Sequence, residues 1–413
     1  MCDIQGSVKG DRIGGKTIPV ADSVGTILVH DITEIRQGEF KGRAFRKGHV
    51  IRQEDVCHLQ RLGKENLFVL NIAEDEVHED EAAYALAYAL MGEGVKIKGE
   101  PKEGKITLVA ERDGLLSINR EALLQFNMLG DLMCATLHDR TVVKKGQEVA
   151  GTRAIPLVIK KAVVEEAIGI IKGTGSGAQK AKGPSEPHLA PPLAKGRMGG
   201  VEPLDPRTLA SCSSGIIAVK EMRKPRVGVV VTGNEVYHGR IPDAFAPIVK
   251  SKIEAYGGEM VAVYFAPDDT SFIEDRLREL IDAGCDLLIT TGGMSVDPDD
   301  VTRFAIRNLG AADITYGSAV LPGAMFLVAY IENGNRDQGL GVSEKSTSSP
   351  QSPIPVLGLP ACGMYHQTTV FDLVLPRILS GERIGRRELA ELGHGGLCMN
   401  CAECRYPVCP FGK

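Results

Sequence analysis

The sequence predicts an α/β protein, with a three-layer parallel-sheet domain in its C-terminal half and a smaller mixed α+β region ahead of it. Three features carry that expectation. Residues 226–231 read as one strand whose run after Arg226 is unbrokenly apolar, the pattern of a strand buried on both faces. Strand-like and helix-like segments then alternate at short spacing, which places helices on the faces of a parallel sheet. Glycines at 257, 258 and 284 fall where each helical segment must stop before the next strand.

Taken in order, residues 1–24 read as a polar lead-in and 25–171 as the α+β region, where β-like runs and helices alternate from Val24 onward. Residues 45–51 read as a turn entering a strand. Residues 54–62 suit a short helix with Val56, Leu59 and Leu62 on one side and Gly63 just past its end. A strand follows at 67–70 and a helix at 79–91. Residues 172–223 shift to Gly, Ala, Pro and Lys without apolar periodicity, as in a linker or a long loop. The α/β domain is expected over 224–382, with strands at 226–231, 260–265 and 286–290. Its helices are expected at 247–256, from Ser271 up to Gly284, and at 301–309. Ser271 and Glu274 have capping-box spacing, and Ile273, Leu277, Leu280 and Ile281 share one face. A stretch rich in Gly, Ser and Pro at 333–355 interrupts the domain between two strands, and 383–413 form a cysteine-rich tail.

Hydrophobic residues make up 43% of the 413 and charged residues 24%, enough apolar material for two or three packed domains. A net charge of -5 argues against nucleic acid as a partner, since phosphate recognition needs clustered positive charge. No apolar run approaches the roughly 18 residues of a membrane-spanning helix, so no membrane partner is expected and the cytoplasm is the expected location.

In open parallel sheets, ligands bind at the carboxyl ends of the strands. Two loops there are unusual: Thr232-Gly233-Asn234-Glu235, and Thr291-Gly292-Gly293-Met294-Ser295-Val296 running on to Asp297, Asp299 and Asp300. Glycines let main-chain N–H groups approach an anion, and the next helix N-terminus adds partial positive charge. Glu235, Asp297, Asp299 and Asp300 could hold Mg²⁺, a hard cation suited to carboxylates and substrate phosphates. The run 297–300 also has the make-up of an ordinary helix start, with a capping Asp, Pro at the first position and acids in the first turn.

The order of the pieces adds to this. Val-Val-Thr-Gly-Asn-Glu (230–235), Asp-Ala-Phe-Ala-Pro (243–247), Pro-Asp-Asp (267–269), the run 290–302, Leu-Pro-Gly (321–323) and Gly-Leu-Pro (358–360) occur in one chain. Together they resemble the molybdopterin-binding domain of molybdenum-cofactor biosynthesis proteins, closer to molybdopterin molybdotransferases than to adenylyltransferases. The resemblance covers about 224–382, and Lys47-Gly48-His49-Val50-Ile51 through Val69 resembles the segment ahead of that domain. It implies a pocket for molybdopterin or its adenylylated form, lined by Thr232, Gly233, Asn234, Thr291, Gly292, Gly293, Met294, Ser295, Val296, Pro322, Gly323, Gly358 and Pro360. It implies catalytic roles for Asp300 and Glu235, with Mg²⁺, and a homodimer with a molybdoenzyme or maturation protein as partner.

The sequence also departs from that family. Where molybdotransferases show Lys-Pro-Gly-Lys-Pro, this chain has Leu321-Pro322-Gly323-Ala324-Met325, so two cations suited to molybdate are missing. Gly-Leu-Pro-Gly-Asn-Pro is replaced by Gly358-Leu359-Pro360-Ala361-Cys362-Gly363. Three readings follow: a molybdotransferase-like transferase in cofactor maturation, a non-catalytic molybdopterin carrier or redox-responsive sensor, and a nucleotide-like amidohydrolase of the competence-damage family.

Four of the ten cysteines fall in the last sixteen residues, at Cys398, Cys401, Cys404 and Cys409 followed by Pro410. Two-residue gaps let successive sulfurs turn onto one metal centre, so zinc or a [4Fe–4S] cluster is expected. The alternative is a tail of free thiols. His30, His49, His58 and His78 lack metal-ligand spacing, and Cys57, Cys134, Cys212 and Cys285 read as small buried residues. Cys362 is expected in a loop at the pocket.

Overall fold

A computed structural model describes residues 15–26, 28–36, 40–70, 73–173, 215–294, 301–332 and 352–413. The chain divides into two units. One comprises Met1–Arg112, Leu116–Leu137 and Val143–Val219; the other comprises Asp113–Leu115, His138–Val142 and Lys220–Lys413.

The first unit is α+β. Its main core forms where the helix Glu79–Leu90 buries Ala82, Leu86 and Leu90 against Ile106, Leu108 and Phe126. The strands Val95–Lys102, Lys105–Ala110, Glu148–Ala154 and Leu132–Thr136 make a four-stranded sheet in that order. A second small core gathers Val20, Leu28, Phe45, Val56, Leu59 and Leu67. Several sequence readings are corrected here. The lead-in is shorter than 1–24, because Gly15–Pro19 pairs antiparallel with Asn66–Leu70. Around residue 45 the order is reversed: the strand Phe40–Phe45 precedes the turn at 47–48. Cys57 is exposed, since Val56 and Leu59 turn inward on the helix Gln53–Arg61 and carry it to the opposite side. Cys134 and, in the second unit, Cys285 are buried as expected, whereas Cys212 lies outside the described residues. Of the stretch read as a linker, 174–214 lies outside the described residues, and Ile217–Lys220 is a strand.

The second unit has the expected α/β architecture. Its strands are β1 (Arg226–Thr232), β2 (Glu259–Ala266), β3 (Leu287–Thr291), β4 (Ala311–Tyr316), β5 (Leu327–Ile331) and β6 (Ile354–Leu359). They form one sheet in the order β2-β1-β3-β6-β5-β4. Its described helices are α1 (Asn234–Tyr237), α2 (Phe245–Glu254), α3 (Thr270–Asp282), α4 (Thr302–Asn308), α5 (Val370–Leu379) and α6 (Arg386–Glu391).

Period-two alternation builds the three layers. Val227, Val229 and Val231 join a core with Val249 and Ile253 of α2 and Val374 of α5. Val230, Leu288 and Val356 join the other core, with Leu277 of α3 and Ile306 of α4. Both faces are covered, which is why the run 227–231 is apolar throughout.

β1, β2, β3 and β6 are mutually parallel, but β5 runs antiparallel to both β6 and β4. The sheet is therefore mostly rather than wholly parallel. Helix starts also shift from the sequence reading. α2 begins at Phe245 because the Asp243 carboxylate accepts from the N–H groups of Phe245 and Ala246, at 2.8 and 3.0 Å. The N-cap of α3 is Asp269, not Ser271: it accepts from the Phe272 N–H at 2.8 Å, and Ser271 donates its own hydroxyl to the same carboxylate. Of the excursion at 333–355, residues 333–351 lie outside the described residues, and 354–355 already belong to β6. No described helix is long and apolar enough to cross a membrane.

Candidate functional site

The register aligns Val231 of β1 with Thr291 of β3, and Thr291 with Leu359 of β6, so three strands end side by side. Their carboxyl ends carry an unusual set of hydroxyls for a buried place. Thr232, Thr290, Thr291 and Thr302 are all buried. Thr232 donates its hydroxyl to the Thr291 carbonyl at 3.0 Å. The Thr302 hydroxyl, at the start of α4, lies 3.2 Å from that of Thr232 and 3.4 Å from the Gly292 carbonyl. The hydroxyls of Thr290 and Thr291 have no hydrogen-bond partner among the described residues. A buried hydroxyl left unpaired costs about 1–3 kcal/mol.

Gly292 and Gly293 make this closeness possible. Their φ angles are +85° and +57°. A Cβ on Gly292 would lie 2.4 Å from the Thr232 carbonyl oxygen, and one on Gly293 would lie 2.3 Å from the Thr302 hydroxyl. Only glycine suits either position. Met294 follows and is buried; Tyr316 donates its hydroxyl to the Met294 carbonyl, and the Met294 sulfur packs onto Gly358. A Cβ at Gly358 would come within 2.6 Å of that sulfur.

On the β1 side, Asn234 and Asp268 exchange hydrogen bonds, the Asn234 N–H to the Asp268 carboxylate at 3.1 Å and the Asp268 N–H to the Asn234 amide oxygen at 3.4 Å. This ties the first loop to the Pro267-Asp268-Asp269 turn. Glu235 lies on α1, is exposed, and folds its carboxylate back over Gly233. Ser295, Val296, Asp297, Asp299 and Asp300 lie outside the described residues, so the expected pairing of Glu235 with Asp300 is not placed.

The structure thus brings Thr232, Thr291, Gly292, Gly293, Met294 and Gly358 into one neighbourhood. Pro322 and Gly323 meet a different one: the Val370 N–H at the start of α5 donates to the Pro322 carbonyl at 3.2 Å, and Gly323 packs on Val370. Pro360 leads into a short turn, Ala361–Met364, where Cys362 is half-buried and burial pushes its thiol pKa up. Thr302, Tyr316 and Asp268 were not singled out from sequence. An isolated Thr, Tyr or Asp is too common to be a signal, although the Pro-Asp-Asp motif contained Asp268 and the run 290–302 ended on Thr302.

The cysteine tail forms a second feature. The Leu321 N–H donates to the Gly396 carbonyl and the Cys398 N–H to the Leu321 carbonyl, each at 2.8 Å. At the other end Phe411 is buried, and the Gly412 N–H donates to the Gly395 carbonyl at 2.9 Å. Between these anchors, Cys398, Cys401, Cys404 and Cys409 all line one cavity of about 490 Å³. Thr368 places its hydroxyl 3.3 Å from the Cys404 sulfur. Among the described residues, no three His, Cys, Asp or Glu side chains converge tightly enough to hold a single metal ion.

Residues 228–380 match the family model of a probable molybdopterin binding domain, spanning the six strands from within β1 and the helices α1 to α5. Residues 17–71 match a domain of unknown function (DUF8806). A CinA-like protein of Mycobacterium avium (strain 104) is 40% identical over 227 residues, covering 46% of this chain and 51% of that protein. A CinA-like protein of Mycolicibacterium paratuberculosis is also 40% identical, over 89 residues that cover 20% of each chain. The chain therefore spans about half the length of the first of these relatives and a fifth of the second. Among solved structures, the molybdopterin biosynthesis enzyme MoaB of Thermus thermophilus matches over 38% of this chain and 98% of its own, at 22% identity and a TM-score of 0.28.

Proposed function

We propose that the second unit binds molybdopterin, or its adenylylated form, across the carboxyl ends of β1, β3 and β6 and serves molybdenum-cofactor biosynthesis or maturation. The observation that carries this reading is the double-glycine turn at 292–293, closed over Thr232 and Thr302 within the stretch that matches a molybdopterin-binding domain. Such a turn offers main-chain N–H groups to a phosphate or pterin carbonyl, and the Thr291 hydroxyl, which has no partner among the described residues, is proposed as a further donor. Asn234, Ser295, Val296 and Pro360 are proposed to complete the pocket, whereas Pro322 and Gly323, expected there from the resemblance, pack against the start of α5. Glu235 and Asp300 are proposed to position Mg²⁺ or a substrate group. The proposal extends to a homodimer and to a molybdoenzyme or maturation protein as partner.

Leu321 and Ala324 leave no lysine ammonium groups for molybdate in that loop, which favours pterin binding or transfer over metal insertion there. The direct test is release of small molecules, by denaturation, from protein made in a molybdenum-replete host. A pterin fluorescence signature in the released fraction is expected; its absence from a host competent in cofactor synthesis would sink the reading. The likeness to CinA-like proteins favours a second reading, hydrolysis of an amide on a nucleotide-like compound. Ammonia release from pyridine nucleotides by the purified protein would select it.

A further inference from the structure

We propose that the C-terminal tail is the binding site of a [4Fe–4S] cluster, held by the thiolates of Cys398, Cys401, Cys404 and Cys409 inside the cavity they share. The inference is independent of pterin binding, and the two can fail separately.

Three observations point to a cluster in preference to a single zinc ion. First, all four cysteines line the same cavity of about 490 Å³. Second, among the described residues these cysteines do not gather into a single-ion site. Zinc holds each thiolate sulfur at about 2.3 Å, which requires the ligands to converge on one centre. Among the described residues no three potential ligands do so. A cube of four irons and four sulfides instead takes each cysteine at a separate corner, so its ligand sulfurs stand well apart. Third, the first three ligands follow one another as Cys-x2-Cys-x2-Cys, the spacing that opens the ferredoxin run, and the fourth, followed by Pro410, comes after four residues where that run has three.

The surroundings are built for an occupant. Hydrogen bonds from Leu321 and Cys398 fix the start of the tail, and Phe411, buried in the core of the α/β unit, fixes its end. The cysteines therefore lie on a loop closed at both ends. Tyr406, on the same loop, donates its hydroxyl to the Asp372 carbonyl of α5 at 3.2 Å and stacks edge-on with Phe411. Thr368 sits where its hydroxyl can donate to the Cys404 sulfur, the kind of hydrogen bond that tunes an iron–sulfur centre. Cys401 and Cys404 are exposed, which leaves one side of the site open to solvent.

The test is the metal and sulfide content of the full chain purified without oxygen, together with its absorption spectrum before and after dithionite. About four irons and about four acid-labile sulfides per chain are expected, with visible charge-transfer absorption that dithionite bleaches. Cys401→Ala and Cys404→Ala should each lower iron to about three per chain or fewer, while Cys57→Ala in the other unit leaves it unchanged. Thr368→Val should keep the iron and shift the reduction potential. Zinc at one per chain without iron would overturn the proposal, as would protein free of metal, or iron retained in the Cys401→Ala/Cys404→Ala double variant. The content of the unmodified protein decides the matter even if a variant fails to fold.

Discussion

The main-chain N–H of Cys398 donates to the carbonyl of Leu321 at 2.8 Å, so the loop that departs from the molybdotransferase pattern is the one that moors the cysteine tail. Both the N–H and the carbonyl of Leu321 are engaged by the tail. Mooring also depends on Phe411, which is buried beside Val374 and Leu375 in one core cluster. Phe411→Ala should lower the stability of this unit by about 3–5 kcal/mol, read as a fall in the urea midpoint. An unchanged midpoint would mean that the tail rests on the unit without supporting it.

The turn at 292–293 should tolerate very little. Gly292→Ala forces a Cβ against the Thr232 carbonyl at a φ of +85°, so pterin binding should weaken at least tenfold. Thr302→Val keeps the shape but removes the shared hydroxyl, at a cost to stability of about 1 kcal/mol. Urea melts check the Thr302→Val cost, and titration of Gly292→Ala with a pterin ligand checks the other; parental affinity there would place the ligand elsewhere.

A buried ion pair gives the second unit an acid-sensitive element. Arg377 is 1% exposed and donates to Glu382 through Nε and Nη2, at 3.0 and 2.6 Å. Burial alone would raise the Glu382 pKa, but the Arg377 guanidinium outweighs it and holds the carboxyl below its ordinary value of 4.5. The stabilisation is therefore present above the unfolded pKa and is lost as pH falls through the folded one. Glu382→Gln should destabilise at pH 7 by about 3 kcal/mol or more, since it strands a buried charge. The gap between variant and parent should narrow as pH falls below 4.5 through the folded pKa, as urea melts at neutral and at acid pH would report.

In the first unit the sign reverses. Burial, reinforced by the Asp80 carboxylate, raises the Glu79 pKa from 4.5 to about 7. The folded chain then holds a proton that the unfolded chain has released between those values, so the Glu79 contribution weakens as pH rises from 4.5 to about 7. Glu79→Gln should match the parent near pH 4 and exceed it at pH 8 by up to about 3 kcal/mol. Thermal melts across that range test it, and a variant that tracks the parent at both ends would assign the proton elsewhere.

How far the sequence could be read follows from what each feature depends on. The run 227–231 needs only local composition to declare a doubly buried strand, and the glycine stops needed only their positions. The reversal of β5 depends on how its neighbours connect, and nothing within residues 327–331 records direction. Cys57 sits between apolar residues in sequence, yet helical geometry turns those neighbours away from it. Asp269 was overlooked as a cap because Ser271 offered an equally good local pattern two residues later. At the strand ends the glycines were conspicuous, but Thr302 matters only through its distance from Thr232, which requires the fold. The tail showed its four cysteines, while their lining of one cavity is a three-dimensional fact.

The reversed strand also makes room for change. Ile331 at the end of β5 and Ile354 at the start of β6 are direct antiparallel partners. They sit at the opposite pole of the sheet from Thr232 and Thr291. A chain joining two residues already side by side can grow or shrink cheaply, at about 0.6 kcal/mol for each doubling of length. That position is therefore a natural port for inserted cargo, such as a fluorescent reporter or an extra recognition segment, and the strand ends that form the proposed pocket would not register its arrival.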